Sequence, residues 1–150
     1  MIYTNLTKKA LKLCFEAHKD QVDKTGMPYV FHPFHLAEGM DDEVSTVCAL
    51  LHDVIEDTEY TFDDLLVMGF PCEVIEVLRL LTHDESEPYM DYVKRIAKNE
   101  TAKKVKIADL THNSDTSRLD TVDEWAEKRN AKYKEALKIL TDEVAMRCLF

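Results

Sequence analysis

A histidine and an aspartate stand side by side at the end of an apolar run. His52 and Asp53 follow residues 47–51, Val-Cys-Ala-Leu-Leu, and precede the acidic pair Glu56 and Asp57 by one helical turn. Burying an uncompensated carboxylate in such a stretch is costly or forces it to take up a proton. A divalent cation satisfies both side chains, because neutral imidazole and ionised carboxylate are ligands of hard and borderline cations. The pattern therefore predicts a metal site.

The remaining ligands of this ion must come from other segments. Adjacent side chains on a helix diverge by about 100°, so His52 and Asp53 share an ion only near the shoulder of their helix. His32, in Tyr-Val-Phe-His-Pro, and Asp109, at the end of Val-Lys-Ile-Ala-Asp, offer the required chemistry. One histidine from an earlier segment and one aspartate from a later one leave open positions for water and substrate, as a catalytic site requires.

The acidic pair Glu56 and Asp57 lies beside the proposed ion, one turn after His52 and Asp53. A carboxylate in this position can take a proton from a metal-activated water and later protonate a leaving oxygen. The alternative interpretation is a solvated pair at a helix C-terminus, where the helix dipole disfavours negative charge. We therefore predict that Glu56 and Asp57 are the catalytic residues.

Four stretches of the chain resemble one family of metalloenzymes. They read Ala-His-Lys-Asp-Gln at 17–21, Lys-Thr-Gly-Met-Pro-Tyr-Val-Phe-His-Pro at 24–33, Ala-Leu-Leu-His-Asp-Val-Ile-Glu-Asp-Thr at 49–58 and Val-Lys-Ile-Ala-Asp-Leu-Thr-His-Asn at 105–113. In order and spacing they are similar to the HD-domain metallohydrolases, and within them to the hydrolase domain of the RelA/SpoT alarmone enzymes and its short stand-alone relatives. The resemblance covers residues 10–140, nearly the whole chain.

The resemblance implies a metal-dependent phosphohydrolase that acts on a phosphorylated nucleotide. It implies one divalent ion, usually manganese, and a water activated by that ion as nucleophile. The leading substrate is then guanosine 3′,5′-bis(diphosphate), cleaved at its 3′-pyrophosphate. The resemblance assigns the ion to His32, His52, Asp53 and Asp109, and proton transfer to Glu56 and Asp57.

Four further residues are candidates for substrate binding. Asn113 resembles a family residue that reaches a ribose hydroxyl, and Tyr133 resembles a substrate-contacting tyrosine. Lys24 and Lys106 offer positive charge for phosphate. Each has an ordinary alternative: a helix cap for Asn113, a solvated side chain for either lysine, and a core position for Tyr133, which shares its helical spacing with Trp125 and Leu137.

One residue departs from the family pattern. Before the lysine matched by Lys24, the alarmone hydrolases generally carry an arginine that stacks on guanine, whereas this chain has Asp23. The reversed charge removes a cation over the base and brings a carboxylate near the phosphates. An inactive HD-fold module that senses nucleotides or binds proteins is therefore an alternative. A di-iron oxidase of the HD fold is another, but it needs extra histidine ligands. His35, three residues after His32, is the one histidine to test for this role.

Composition bounds the remaining possibilities. The chain has 150 residues, 45% hydrophobic and 32% charged, with a formal charge of −10. That charge argues against binding of a DNA or RNA duplex, which needs clustered Lys and Arg. The N-terminus lacks a signal peptide and no apolar run approaches a membrane span, so a cytoplasmic protein is expected. Homo-oligomerisation is left open. Reduced core thiols are expected at Cys14, Cys48, Cys72 and Cys148.

The elements that must position these residues are all helical. Apolar spacing, proline starts and capping pairs predict helices at 6–19, 33–40, 42–57, 61–69, 71–81, 88–98 and 101–112. A final helix, capped by Thr121 with Glu124, is predicted to run past Leu140 with a break near Thr141. Residues 21–27 are a predicted loop. The expected fold is an all-α, single-domain bundle of HD type over residues 1–150, which ends before a synthetase or regulatory domain could begin.

Overall fold

The computed structural model describes residues 1–142 and is built of α-helices. They are α1 Asn5–His18, α2 Phe31–Glu38, α3 Glu43–Leu51, α4 Val54–Asp57, α5 Phe62–Val67, α6 Cys72–Leu81, α7 Tyr89–Ile96, α8 Glu100–Asn113 and α9 Glu124–Thr141. A 3₁₀ turn at Thr116–Arg118 connects α8 to α9. Within the described range, β pairing is limited to a single bridge between Val22 and Pro28. The predicted all-α fold is confirmed.

Helix α3 forms the centre of the core. Every residue from Ser45 to Leu51 is buried, and α3 contacts α1, α2, α6 and α8. A helix that is apolar on all sides is stable only when neighbours surround it, which explains the central position of this segment. The C-terminal end of α3 delivers His52 into the interior, at the level of α2 and α8.

The local signals for helix ends explain several boundaries. The Thr61 hydroxyl accepts from the Asp64 amide, and the Asp64 carboxylate accepts from the Thr61 amide, which confirms the predicted capping box. Gly69 follows α5 with φ +93°, a left-handed conformation that favours glycine. Pro71 precedes the first residue of α6. Within residues 1–142, no helix combines the length and apolarity needed to cross a bilayer.

The prediction of one continuous helix over residues 42–57 is wrong. It divides into α3 and α4 at His52 and Asp53, where Asp53 has φ −105° and ψ 0°. On an unbroken helix these neighbouring side chains would diverge by about 100°. The break allows Oδ2 of Asp53 to lie 3.0 Å from Nε2 of His52. The tertiary site therefore overrides the helical periodicity at this position.

Other corrections concern boundaries and thiols. Helix α2 begins two residues before Pro33, which is tolerated because the first-turn amides have no intrahelical partner. The N-cap of α9 is Asp123 and not Thr121, since the Asp123 carboxylate accepts from the Ala126 amide at 2.8 Å. Cys72 is exposed at the start of α6, whereas Cys14 and Cys48 are buried as predicted. Cys148 lies outside the described residues.

Candidate metal centre and adjoining pocket

Three predicted ligands from distant parts of the chain converge in the interior. His32 on α2, His52 at the end of α3 and Asp109 on α8 each offer a ligand atom, and these atoms all lie within 4.8 Å of one another. Nε2 of His32 is 2.9 Å from Oδ1 of Asp109, and Nε2 of His52 is 3.6 Å from the same oxygen. All three residues are buried. Their convergence is what a metal site in the core requires.

The hydrogen bonding of His52 tests whether a cation fits here. Nδ1 of His52 lies 2.7 Å from the carbonyl oxygen of Ala49, so this nitrogen carries the proton and donates it. Burial lowers the pKa of His52, but the Asp53 and Asp109 carboxylates outweigh it and raise the pKa well above its usual value, so a positive charge is favoured at this position. A ring that binds a cation is neutral and presents a lone pair at Nε2, a buried atom without a hydrogen-bond partner. This lone pair faces Oδ2 of Asp53 at 3.0 Å and Oδ1 of Asp109 at 3.6 Å. A divalent ion removes the resulting repulsion, and imidazole with carboxylate is a suitable donor set.

Asp53 lies next to this group of three, and its carboxylate is oriented by a tyrosine. The Tyr29 hydroxyl donates to Oδ2 of Asp53. Burial, reinforced by the negative charge of Asp53, raises the pKa of Tyr29, so its phenol keeps its proton and acts as a donor. Asp53 as a fourth metal ligand remains a prediction. The orienting contact of Tyr29 was missed by sequence reasoning, because it depends on the loop before α2.

The Asp109 carboxylate receives donors on both oxygens. Nζ of Lys106 donates to Oδ2 at 2.9 Å, and Nδ2 of Asn113 donates to Oδ1 at 2.8 Å. Burial alone would raise the pKa of Asp109, but the Lys106 ammonium and the nearby imidazoles of His32 and His52 outweigh it and hold the pKa well below its usual value. Asp109 is therefore ionised and ready to bind a cation. The substrate contacts assigned to Lys106 and Asn113 stay predictions, since both side chains lie against Asp109.

Glu56 and Asp57 lie on α4, directly after Asp53, and are exposed. The amide of His83 donates to Oε1 of Glu56 at 2.5 Å. Although these side chains reach solvent, neighbouring protein atoms partly desolvate both carboxyls and raise their pKa, and the charge of Asp53 adds to the shift. A carboxyl with a raised pKa suits proton transfer near neutral pH. Their catalytic role remains a prediction.

A pocket of about 260 Å³ opens beside the metal ligands, with His32 and Asn113 in its wall. Three cationic side chains line it: Lys24, Arg118 and Arg129. A second pocket of about 220 Å³ adjoins the first and shares Lys24 and Arg129 with it; Trp125, Asp120 and Asp123 also line it. Although the chain has a formal charge of −10, these cations make the surroundings of the candidate centre suited to an anionic ligand.

The Asp23 carboxylate accepts hydrogen bonds from residues of its own loop. Its Oδ1 accepts from the amide of Thr25 at 2.8 Å, from the hydroxyl of Thr25 at 2.6 Å and from the amide of Met27 at 3.1 Å. Burial would raise the pKa of Asp23, but these hydrogen bonds hold it below its ordinary value. Nη1 of Arg118 lies 3.9 Å from the other carboxylate oxygen. The negative charge that the sequence brings to the pocket is therefore partly neutralised there.

Comparison with known proteins identifies the family. No family model matches the chain. A guanosine-3′,5′-bis(diphosphate) 3′-pyrophosphohydrolase of Xenopus tropicalis, MESH1, is 31% identical over 142 residues, which covers 85% of this chain and 78% of that protein. Human MESH1 is 32% identical over 125 residues, covering 75% and 69%. The chain belongs to this pyrophosphohydrolase family.

A solved structure supports the same assignment. A metazoan orthologue of SpoT, described as hydrolysing ppGpp and taking part in starvation responses, matches with a TM-score of 0.75 and 26% sequence identity. The match covers 98% of this chain and 88% of the other. The predicted resemblance to HD-type hydrolases is confirmed, and the chain is a phosphohydrolase of the MESH1 family.

Sequence reasoning missed three residues that line the pockets of this protein, namely Arg118, Arg129 and Trp125. Trp125 is 53% exposed and is therefore not a core residue. Nζ of Lys24 lies over its indole ring, and the guanidinium carbon of Arg129 lies 4.9 Å from the ring centre. Arg129 stands four residues after Trp125 on α9, a spacing that predicts contact but not a pocket. Tyr133 is half-buried, packs against the core and is not among the residues that line either pocket.

The other histidines do not join the three-residue metal group in the part of the chain that the structure describes. The exposed ring of His35 stacks on that of His112 with a centroid separation of 4.3 Å. His112 in turn lies against His32, with their Nδ1 atoms 2.7 Å apart. Burial, with the His32 ring and the Arg118 guanidinium nearby, lowers the pKa of His112 to about 4. This ring is therefore neutral at neutral pH.

Proposed function

We propose that this protein hydrolyses guanosine 3′,5′-bis(diphosphate), or a close relative of it, at the 3′-pyrophosphate. The observation that carries the proposal is the buried convergence of His32, His52 and Asp109, with an unpartnered imidazole nitrogen facing carboxylate oxygens. The chain's membership of the MESH1 family gives the substrate class. Location in the cytoplasm and assembly into homo-oligomers stay predictions.

One divalent ion, which we propose to be Mn²⁺, would be held by His32, His52, Asp53 and Asp109. When bound, such an ion lowers the pKa of a water molecule and withdraws charge from a phosphoryl oxygen. The Ala49 carbonyl keeps the proton of His52 on Nδ1, which leaves Nε2 as the ligand atom. Lys106 keeps Asp109 ionised, so that its charge is available to the ion.

Glu56 and Asp57 would carry out the proton transfers of the reaction. One carboxylate takes a proton from the attacking water, and the leaving ribose oxygen receives a proton as pyrophosphate departs. The raised pKa values support this role, because a weak acid both accepts and returns a proton readily. The amide of His83 fixes the orientation of Glu56.

The cationic pocket would hold the nucleotide with its 3′-pyrophosphate at the metal. Asn113 has its amide nitrogen on Asp109, so its amide oxygen is the atom that would accept from a ribose hydroxyl. Lys24, Arg118 and Arg129 supply positive charge for phosphates. Trp125 and Tyr133 remain further candidates for substrate contact.

The decisive experiment is a product analysis with defined metal content. Metal-free protein is mixed with Mn²⁺ or with a chelator and incubated with guanosine 3′,5′-bis(diphosphate), its adenosine counterpart, GDP and GTP. We expect metal-dependent release of pyrophosphate from the 3′-pyrophosphorylated nucleotides and none from GDP or GTP. The exposed-thiol variant Cys72→Ser is the matched control. Tight nucleotide binding without any product in Mn²⁺ would instead support the inactive nucleotide-sensing module.

A further inference from the structure

The metal ligand His32 has an unusual partner for its second ring nitrogen. Nε2 of His32 faces Asp109 at 2.9 Å, which makes it the atom directed to the proposed ion. Its Nδ1 lies 2.7 Å from Nδ1 of His112. A ligand histidine usually donates its other N–H to a carboxylate, a backbone carbonyl or a water molecule. Here the partner is the side chain of another histidine.

The proton between these two rings can lie on only one side if His32 binds a cation. A neutral imidazole with a lone pair at Nε2 carries its proton on Nδ1. Nδ1 of His32 must then donate, so Nδ1 of His112 must accept and the proton of His112 must lie on its Nε2. If the acceptor were missing, the tautomer of His32 with its proton on Nε2 would compete and would turn an N–H toward the ion.

The second ligand histidine, His52, has a backbone acceptor instead of a side-chain acceptor. Nδ1 of His52 donates to the Ala49 carbonyl, a backbone acceptor within its own helix end, 2.7 Å away. No substitution of a side chain removes that acceptor. The acceptor for His32 is a side chain on a different helix, so it can be tested directly.

We propose that His112 is a positioning residue of the metal centre, whose Nδ1 accepts the proton of His32 and so keeps Nε2 of His32 free for the cation. The proposal rests on the metal site of the proposed function. His112 stands three residues after Asp109 on α8, so one helix supplies both a ligand and the acceptor that orients another ligand. This arrangement couples the position of α8 to the orientation of a ligand on α2.

Neighbouring contacts hold His112 in place for this task. Nη2 of Arg118 donates to the carbonyl oxygen of His112 at 3.1 Å, which fixes the end of α8. The ring of His35 stacks on His112 from the exposed side, with a centroid separation of 4.3 Å and an interplanar angle of 30°. The His32 and His112 rings are nearly parallel, at 15°. The imidazole of His112 is thereby held between the two other rings.

Two substitutions separate the accepting nitrogen from the shape of the ring. His112→Phe keeps an aromatic ring between His32 and His35 but removes the acceptor. His112→Asn removes the ring but places its side-chain oxygen close to the position of Nδ1. The first readout is the Kd for Mn²⁺ by isothermal titration calorimetry, without nucleotide. The second is thermal unfolding of each variant, which is the control for folding.

We expect His112→Phe to bind Mn²⁺ about 10- to 100-fold more weakly, the usual effect of losing a partner of a ligand histidine. His112→Asn should restore the Kd for Mn²⁺ toward the wild-type value. Wild-type affinity in His112→Phe, or equal weakness of both folded variants, would overturn the role of Nδ1 while leaving the metal site intact. A wild-type protein that binds no Mn²⁺ would overturn the metal site itself, and this inference with it.

Discussion

The metal centre and the nucleotide pocket lie side by side but are built in opposite ways. The three converging ligands are no more than 6% exposed, and each is carried by a helix that packs on the core. The pocket cations Lys24 and Arg118 stand on connections, and Lys24 is exposed. The geometry of the metal ligands is therefore set by the core, whereas the nucleotide pocket combines residues on connections with Arg129 of α9.

The two regions also balance their charges differently. In the centre, the Asp109 carboxylate pairs with the Lys106 ammonium at 2.9 Å, and both side chains are largely buried. In the pocket, Arg118 lies 3.9 Å from Asp23, and both are partly exposed. A buried pair is costly to break, whereas an exposed pair contributes little. Substitutions in the centre should thus abolish function, and substitutions in the pocket should tune it.

The largest effect is expected for Asp109→Ala. The change removes a metal ligand and leaves the Lys106 ammonium without its buried partner. Turnover should fall to background and Mn²⁺ binding should be lost, with a destabilisation of about 3–5 kcal/mol from the unpaired charge. Metal analysis and urea unfolding measure the two effects. The double variant Asp109→Ala/Lys106→Met should recover stability but not metal, and normal metal content in either variant would disprove the assignment of Asp109 as a ligand.

Glu56→Gln should give the next largest effect. The amide keeps the size of the carboxylate and can still accept from the His83 amide, but it cannot take a proton. We expect Mn²⁺ content to be unchanged and kcat to fall about 10²- to 10⁴-fold, the usual contribution of a general acid or base. Glu59→Gln, an exposed neighbour after α4, is the control. Normal turnover in Glu56→Gln would remove the acid–base role of this residue.

The difference between the two regions also explains what the sequence could predict. His32, His52 and Asp109 stand out because a polar group inside an apolar helix needs a partner, and that need is visible in the local pattern. The helix boundaries follow from capping pairs such as Thr61 with Asp64, which are equally local. The all-α fold and the candidate ligands were accordingly predictable from local patterns, whereas the HD type came from the resemblance of four stretches to that family.

The features that were missed arise from contacts between distant segments. The break at Asp53 accompanies contacts with Tyr29 and His52, and helical periodicity carries no information about it. Arg118 and Arg129 lie in polar stretches, where an arginine in a pocket cannot be distinguished from a solvated one. The position of Asp23 was recognised as unusual, but its pairing with Arg118 joins residues from two separate loops.

Arg129→Gln should have a moderate effect confined to substrate binding. Arg129 lines both pockets, and its Nη2 donates to the Asn113 carbonyl at 3.3 Å. Loss of a charged hydrogen-bonding group should raise KM for a 3′-pyrophosphorylated nucleotide roughly tenfold, with kcat little changed. Lys128→Gln, an exposed neighbour paired with Glu124, is the matched control. A fall in kcat with unchanged KM would show that Arg129 acts on the chemical step instead.

The smallest effect is expected for Asp23→Asn, and its direction is informative. The amide oxygen can still accept from Thr25 and Met27, so the loop should keep its form, while the charge that pairs with Arg118 is lost. With more positive potential in the pocket, KM for an anionic nucleotide should decrease, by no more than about fivefold, since an exposed pair contributes at most about 1 kcal/mol. Steady-state kinetics at low and high salt measure the change, which should shrink as salt screens it. A KM that rises in Asp23→Asn while the fold is intact would mean that the carboxylate itself contacts the substrate, and the pocket would then recognise a donor on the nucleotide through Asp23.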